Sequence, residues 1–186
     1  MWRFEGGCFQ EEAYSLPEKE RFLLLVNGKP WASFSYTPGD EVYLALGHLF
    51  LSGVLGGAVA GGRRGGGRGP TRGIHGAALF DLSGQLLYLN EDIGRHNAVD
   101  RLAGYMLLEG VRPPVLLAVT GRVSQEMAAK AIGTGAVLLA SRTGATAPAV
   151  SLAQRYGLAL AAYVRPTGYR LYAPGGMPVP EGVLRP

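Results

Sequence analysis

Cysteine is almost absent from this sequence, since Cys8 is the only one among 186 residues. A single cysteine excludes an internal disulfide framework, and three histidines with one distant cysteine lack the ligand spacing of a zinc site. Long apolar runs are also missing, because none approaches the ~20 residues that a membrane-spanning helix needs. The N-terminus lacks the basic start and apolar stretch of a secretion signal. These absences predict a cytoplasmic protein that binds no metal and has no membrane segment.

Lysine is scarce as well: the chain has three lysines against fifteen arginines, with a net charge of +4. Arginine offers a rigid fork of donors that suits phosphate and carboxylate groups, which lysine does not. Genomic base composition or heat adaptation explains the total count equally well. The positions of the arginines must therefore decide which of them matter.

The first part of the chain predicts a small subdomain built from a hairpin and a helix. Residues 22–26 and 31–36 read as strands around Asn27-Gly28, which is a strong hairpin signal. The following Thr37-Pro38-Gly39-Asp40 predicts a helix that has Thr37 as its N-cap and ends near Gly53.

The rest of the chain predicts an α/β core. Apolar strands at 77–80, 86–89, 115–119, 137–140 and 158–164 alternate with short helices, and a last strand returns at 169–172. Near-continuous apolar strands with helical crossovers favour a mostly parallel sheet. The predicted organisation is a flexible arm at 1–20, the hairpin-helix subdomain at 21–55, a mobile Gly/Arg-rich loop at 56–72, the core domain at 73–173 and a tail at 174–186.

Polar residues crowd onto one strand-to-helix turn. Residues 90–100 read Asn-Glu-Asp-Ile-Gly-Arg-His-Asn-Ala-Val-Asp, and three later strand ends also carry arginine with glycine or small hydroxyl residues. In a parallel sheet these ends share one edge, where helix N-termini favour anions. We therefore expect a phosphate or pyrophosphate site there. The competing interpretation is that each arginine is an ordinary solvated loop residue.

Single residues in these turns have competing roles. His96 is either a ligand or base beside Arg95, or a helix-start residue that forms hydrogen bonds. Ser124 is positioned to cap a helix, and Thr146 is positioned to start the next one. As a nucleophile, Ser124 lacks the flanking glycines of a nucleophile elbow. Cys8 lies on the predicted arm, which favours a bystander over a reactive thiol.

Residues 91–100 closely resemble the signature of the FdhD family, the formate dehydrogenase accessory sulfurtransferases. Other stretches resemble the same family in the same order, namely residues 27–47, 74–80, 121–126 and 163–172. The resemblance covers roughly residues 20–173.

The resemblance implies a cytidine-deaminase-like three-layer sandwich with a small N-terminal α+β subdomain and no catalytic zinc. It implies that sulfur comes from a cysteine desulfurase and passes to the molybdenum bis-guanine-dinucleotide cofactor before its insertion into formate dehydrogenase. It also implies a homodimer, and makes GDP a useful cofactor analogue. The expected cofactor-binding residues are Asp92, Gly94, Arg95, His96, Asn97, Gly121, Arg122, Ser124, Arg142, Thr143, Tyr163, Val164, Arg165, Pro166, Thr167 and Gly168.

One departure from the family pattern bears on its chemistry. The family carries sulfur as a persulfide on a Cys-x-x-Cys pair, but a Gly/Arg run replaces that segment here. A persulfide needs a thiol, so the chain has no expected catalytic residue and its enzyme activity stays open. The alternative is a cofactor or guanine-nucleotide carrier without sulfurtransferase activity.

Three other functions compete with the cofactor-binding prediction. The Gly/Arg run resembles an RGG-type nucleic-acid-binding segment, but it has no interleaved aromatic residue for stacking bases. Deaminase chemistry needs a zinc triad whose cysteines are absent. A purely structural partner of formate dehydrogenase remains open.

Overall fold

Ten strands and four helices make up the described part of the chain. The computed structural model describes residues 2–5, 8–11, 18–55 and 74–176. The elements are β1 (Trp2–Glu5), β2 (Cys8–Glu11), β3 (Glu20–Val26), β4 (Lys29–Tyr36), α1 (Glu41–Leu51), β5 (His75–Phe80), β6 (Leu86–Asp92), α2 (Arg95–Glu109), β7 (Val115–Val119), α3 (Gln125–Gly133), β8 (Ala136–Ser141), α4 (Ala147–Tyr156), β9 (Ala159–Arg165) and β10 (Gly168–Ala173).

The main sheet has six strands in the order β10-β9-β8-β7-β5-β6. The predicted α/β class is confirmed. The expectation of a mostly parallel sheet is wrong, because most neighbouring strands pair antiparallel. Only β7–β8 and β8–β9 are parallel, whereas β5–β6, β5–β7 and β9–β10 are antiparallel. The physical reason is that β5–β6 and β9–β10 are joined by short turns, which only antiparallel neighbours allow. Four strands, β6 to β9, nevertheless point the same way.

The helices of the core form one layer. Helix α2 packs against β5 and β6, α3 against β8, and α4 against β9 and β10, while α3 also contacts both α2 and α4. Buried side chains from helices and strands fill the space between them, including Val99, Leu102, Leu117, Met127 and Leu139. In the described ranges α2, α3 and α4 pack side by side on the sheet, and the expected name of a cytidine-deaminase-like three-layer sandwich stays a prediction.

The hairpin-helix unit packs onto this helical layer. Leu24, Phe34 and Tyr36 of the β3–β4 hairpin form a second cluster with Leu44 of α1, and α1 packs in turn against α2.

The start of α1 differs from the prediction. The N-cap is Asp40, in the left-handed region at φ 52°, instead of Thr37. The hydroxyl of Thr37 accepts a hydrogen bond from the N–H of Ile93 at 3.1 Å, and Asp40 accepts one from the Tyr88 hydroxyl at 2.8 Å. Hydrogen bonds to residues far away in the chain therefore place the start of α1 at Asp40 and not at Thr37.

The ends of the chain differ in part from the predicted organisation. Residues 2–5 and 8–11 of the predicted flexible arm form the antiparallel pair β1–β2. The sequence carried a signal for this pairing, since Gly6-Gly7 separates two short alternating runs. The predicted Gly/Arg loop at 56–72 and the tail from residue 177 lie outside the described residues.

Two glycines allow α1 and α2 to touch backbone to backbone. A Cβ built on Gly47 lies 1.7 Å from the carbonyl oxygen of Asp100, and one on Gly104 lies 1.9 Å from that of Tyr43. No side chain fits at either position without separating the two helices.

We predict that Gly104→Ala destabilises the protein by about 3 kcal/mol, because overpacking a rigid contact outweighs the better helix propensity of alanine. The matched control is Gly133→Ala in α3, where the new Cβ meets only the end of the flexible Leu51 side chain at 2.8 Å. Urea unfolding measures both variants, and the control should change by less than about 1 kcal/mol. Equal stability of the two variants would contradict the proposed contact.

Candidate functional site

The candidate site is the edge of the main sheet at which β6, β7, β8 and β9 all end. These four strands run in one direction. Their ends therefore lie at one edge of the sheet, as the sequence predicted. Backbone hydrogen bonds join neighbouring loops: the N–H of Val123 donates to the Gly144 carbonyl, and that of Tyr163 to the Thr143 carbonyl, both at 3.0 Å. We call this rim the arginine edge; it consists of the loops at 93–95, 120–124, 142–146 and 165–168.

Four arginines lie on the arginine edge without a carboxylate partner in the described ranges. Arg122, Arg142 and Arg165 are exposed and Arg95 is half-buried, and none takes part in an ion pair there. The Arg165 guanidinium donates to the carbonyl of Arg142 at 2.6 Å and to its neighbour Val164 at 2.7 Å. Guanidinium groups beside helix N-termini favour a bound anion.

Arg95 occupies a tight corner of this edge. A Cβ on Gly121 would lie 3.2 Å from the Cβ and Cδ atoms of Arg95 and 3.1 Å from His75 Nδ1, so a side chain there would require these neighbours to shift by a few tenths of an ångström. The Nε of Arg95 is buried and has no hydrogen-bond partner among the residues that the structure describes. Burial and the neighbouring Arg95 charge lower the pKa of His75. The corner therefore holds an unsatisfied donor next to a neutral imidazole.

Hydroxyl groups stiffen the loops between the arginines. Ser124 caps α3 by accepting from the N–H of Met127 at 3.4 Å, as the sequence predicted. Ser141 Oγ donates to the Gly121 carbonyl at 2.8 Å and accepts from the N–H of Thr143 at 3.0 Å. The loops after β7 and β8 are thereby fixed to each other.

Tyr163 has a strained backbone at the end of β9. Its φ of 53° places it in the left-handed region, which is rare for a bulky residue. The guanidinium of Arg170 lies 5.0 Å from the centre of its ring. The Tyr163 hydroxyl oxygen is 2.6 Å from where a Cβ of Gly144 would lie. Tyr163 as a residue is 44% exposed, so part of its surface is open to solvent.

The turn between β9 and β10 completes the edge. Pro166, Thr167 and Gly168 are exposed, and Val164 is half-buried. Sequence reasoning did not single out Arg170, because its contact with Tyr163 depends on the unusual backbone of that tyrosine.

The carboxylate of Asp92 is hydrogen-bonded to other groups of the protein. Its side chain is fully buried and accepts from the N–H of Thr37 at 3.2 Å and of Gly94 at 2.8 Å. Asn97 Nδ2 donates to it at 2.9 Å, and Arg101 Nη2 at 2.9 Å. This carboxylate thus joins β6, α2 and the end of β4. Its expected part in cofactor binding stays a prediction, and its visible contacts position the loop.

Asn97 and Gly94 belong to the same interior cluster. The Asn97 amide also donates to the Ser35 carbonyl at 2.8 Å, and a Cβ on Gly94 would lie 2.9 Å from that amide nitrogen. Their expected contact with a ligand also stays a prediction.

His96 lies where α2 and α3 meet. Its Nε2 is 3.5 Å from Glu126 Oε2. Burial, and then the charges of Lys130 and Arg95, lower the pKa of this imidazole. Lys130 in turn bonds to buried Asp100, which also lies 3.2 Å from His48 Nδ1. Of this charged cluster, the sequence analysis made only His96 a candidate site residue.

Two further observations concern the described ranges alone. They contain no group of three or more His, Cys, Asp or Glu side chains arranged to hold a metal ion. They also contain no helix both long and apolar enough to cross a bilayer.

Known proteins resemble the chain in sequence. The model of the FdhD/NarQ family matches residues 68–176. A sulfur carrier protein FdhD from Sulfurisphaera tokodaii is 40% identical over 104 residues, which are 55% of this chain and 41% of that protein. The protein of the same name from Streptomyces avermitilis is 43% identical over 105 residues, or 55% of this chain and 37% of that one. The match thus spans about two fifths of the length of these curated relatives.

A solved structure resembles the chain in fold. It is described as a formate dehydrogenase accessory protein from Desulfotalea psychrophila, and it superposes with a TM-score of 0.79 at 23% identity. The superposition covers 93% of this chain and 94% of that one.

We predict that Arg101→Met destabilises the protein by about 3–5 kcal/mol, because it leaves the buried Asp92 carboxylate without its counter-charge. The matched control is Arg155→Met, at an exposed position in the last turn of α4, which should cost less than about 1 kcal/mol. Denaturant unfolding measures both. A loss below about 1 kcal/mol for Arg101→Met would show that the pair does not hold the loop.

The lowered pKa of His96 predicts a pH-dependent stability. The unfolded chain binds a proton on this imidazole at higher pH than the folded chain does. Stability is therefore fully present above the ordinary pKa of about 6.5 and is lost as the pH falls below it. His96→Gln should show a smaller fall in unfolding free energy between about pH 7 and pH 5 than the wild type. An unchanged fall would assign the effect to other groups.

Proposed function

The chain belongs to the FdhD/NarQ family, and from that premise we propose that it is a formate dehydrogenase accessory protein. It binds the molybdenum bis-guanine-dinucleotide cofactor as its cargo and supports the sulfuration and delivery of that cofactor to formate dehydrogenase. The observation that carries this proposal is the arginine edge, which suits a ligand with phosphates and planar bases. By family resemblance its partners are a cysteine desulfurase and formate dehydrogenase, it works in the cytoplasm, and it forms a homodimer.

The phosphates of the cargo fit the cationic part of the edge. Arg122 and Arg142 project from neighbouring loops with no carboxylate partner in the described ranges. The orphaned Nε of Arg95 is a buried donor that a phosphate oxygen would satisfy, and leaving such a donor unpaired costs about 1–3 kcal/mol. Helices α2, α3 and α4 begin on the same side, so their free N–H groups favour the same charge.

A guanine base fits the end of the edge at Tyr163. The residue Tyr163 is 44% exposed, and its backbone φ is 53°. Strain of this kind is found at ligand sites and costs on the order of 1–3 kcal/mol. Arg170 beside the ring adds a positive charge, and stacking of a base on an aromatic ring contributes about 1–3 kcal/mol.

The position of the only cysteine favours a second candidate function. Cys8 precedes the stretch that matches the family, residues 68–176, and sulfur transfer through a persulfide needs a thiol. The alternative is therefore a carrier that holds the cofactor or a guanine nucleotide without transferring sulfur.

Calorimetric titration with GDP, a stand-in for the dinucleotide ends, tests the binding half. We expect the wild type to bind and Arg122→Ala to bind at least tenfold more weakly, which is about 1.4 kcal/mol. Arg155→Ala is the matched control, because Arg155 is an exposed arginine on the last turn of α4; its affinity should equal that of the wild type. A wild type that fails to bind GDP, or equal weakening in both variants, would contradict the site.

Transfer of labelled sulfur separates the two candidate functions. The protein is incubated with a cysteine desulfurase and cysteine that carries radioactive sulfur. It is then separated from the free cysteine without reductant, because a reductant would cleave a persulfide. Label on the wild type that is absent from Cys8→Ser supports sulfuration. A wild type that binds GDP but takes up no label supports the carrier.

A further inference from the structure

A cavity of about 310 Å³ lies between the C-terminal ends of α2 and α3. It is lined by Phe50 of α1, residues 103, 106 and 107 of α2, the loop at 110–113 and residues 132–135 at the end of α3. We call it the helix-end cavity. Helix α2 starts at the arginine edge and has 15 residues, which makes it about 22 Å long. The cavity is therefore separate from the arginine edge.

The helix-end cavity has a buried floor and an open mouth. Ala103, Met106 and Gly110 lie three or four residues apart and so share one face of α2. Ala103 and Met106 are buried, whereas Gly110, Arg112 and Pro113 are exposed. A small molecule can therefore enter from solvent and reach the apolar interior.

The interior offers water few partners. The buried Thr134 hydroxyl already donates to the Ala131 carbonyl at 2.7 Å, and the N–H of Val111 donates to the Met106 carbonyl at 3.0 Å. In the described part of the chain, no buried side-chain atom that lacks a hydrogen-bond partner lines this cavity. A buried water needs about two to four polar partners, so an apolar group suits this interior better than water does.

The volume of the cavity sets the size of its ligand. An apolar cavity of about 150 Å³ holds benzene, and the helix-end cavity is roughly twice as large. It falls at the lower end of the ~300–1,000 Å³ that ligand sites occupy. One aromatic ring with a short aliphatic chain therefore fits.

The charge at the mouth selects the head group. Arg112 is the only charged residue among those that line the cavity in the described ranges, and no ion pair of the described residues includes it. The ends of α2 and α3 carry partial negative charge, but the N–H groups of Gly110 and Thr134 already donate to carbonyls there. The full charge of Arg112 therefore dominates, and a guanidinium suits a carboxylate.

We propose that the helix-end cavity binds an apolar monocarboxylate, with the apolar body inside the cavity and the carboxylate beside Arg112. The ligand contacts the ends of both α2 and α3, so its binding stabilises the folded protein. The proposal does not depend on the function proposed for the arginine edge.

Titration of the full chain with three small molecules that share one apolar body tests the proposal. They are 4-phenylbutyrate, 4-phenylbutan-1-ol and 4-phenylbutylamine, which end in a carboxylate, a hydroxyl and an ammonium group. Amide chemical shifts in two-dimensional NMR spectra report both the affinity and the place of binding. We expect shifts around the helix-end cavity, and the carboxylate to bind about three- to fivefold more tightly than the alcohol, as for an exposed ion pair. The amine should bind about tenfold more weakly than the carboxylate.

Substitutions in the cavity and outside it locate the binding. Val111→Phe adds a ring to the wall of the cavity and should weaken all three compounds at least tenfold. Its matched control is Val42→Phe, at a position that is 62% exposed in the first turn of α1, which should bind like the wild type. Arg112→Gln should lower the affinity for the carboxylate to that for the alcohol and leave the alcohol unchanged. Arg122→Ala, on the arginine edge, should bind the carboxylate like the wild type.

Each contrary outcome would overturn the proposal. These outcomes are a wild type without shifts at the cavity, an amine that binds as tightly as the carboxylate, and binding that survives Val111→Phe. Loss of 4-phenylbutyrate binding in Arg122→Ala would also overturn it, because the acid would then occupy the arginine edge. Circular dichroism checks folding, and if Val111→Phe does not fold, Arg112→Gln at its exposed position decides.

GDP titration in the presence of 4-phenylbutyrate keeps this proposal apart from the proposed function. Unchanged GDP binding supports two separate sites. A protein that binds 4-phenylbutyrate at the helix-end cavity but fails to bind GDP supports this proposal and contradicts the proposed function alone.

Discussion

A buried ion pair between Asp92 and Arg101 holds the framework of the site together. The carboxylate is fully buried and the arginine is 3% exposed, so neither charge is screened by water and each depends on the other. Arg101 Nη2 also donates to the Thr37 carbonyl at 2.6 Å, while the N–H of Thr37 donates to Asp92 at 3.2 Å. The pair thus fastens the hairpin unit to the strand end from which the first loop of the arginine edge leaves. The close backbone contact of α1 with α2 supports the same junction from the other side.

The polar stretch at 90–100 has a structural role besides the ligand-binding role proposed for it. Asn97 and Arg101 lie four residues apart in α2 and so share a helix face, which is turned toward Asp92 and the interior. Arg95 and His96, in the first turn, are only half-buried and lie beside the loops after β7. The density of polar residues that suggested a ligand therefore has a structural component as well. Helical geometry separates the residues that fix the turn from those that a ligand can reach.

Local signals in the sequence predicted most of the elements, because caps and turns depend on neighbours in the chain. Ser124 and Thr146 cap α3 and α4 as their positions indicated. The order of the sheet was not predictable in this way: β5 lies between β6 and β7 through pairings that no local pattern encodes. The predicted helix start at Thr37 was wrong for the same reason, since the hydroxyl of Thr37 accepts a hydrogen bond from the N–H of Ile93, 56 residues away. The contact of Arg170 with Tyr163 requires a backbone that sequence pattern does not reveal.

The arginine edge is built without any sulfur atom. Its loops are fixed by backbone hydrogen bonds, by the Ser141 hydroxyl and by the interior charge of Asp92. Persulfide chemistry requires a thiol, and none of these contacts involves one. The described contacts of the edge therefore do not depend on a cysteine pair, and under the proposed function binding and sulfur transfer are separate properties. A chain with one cysteine can therefore form the arginine edge, and the proposed binding and the proposed transfer must be measured apart.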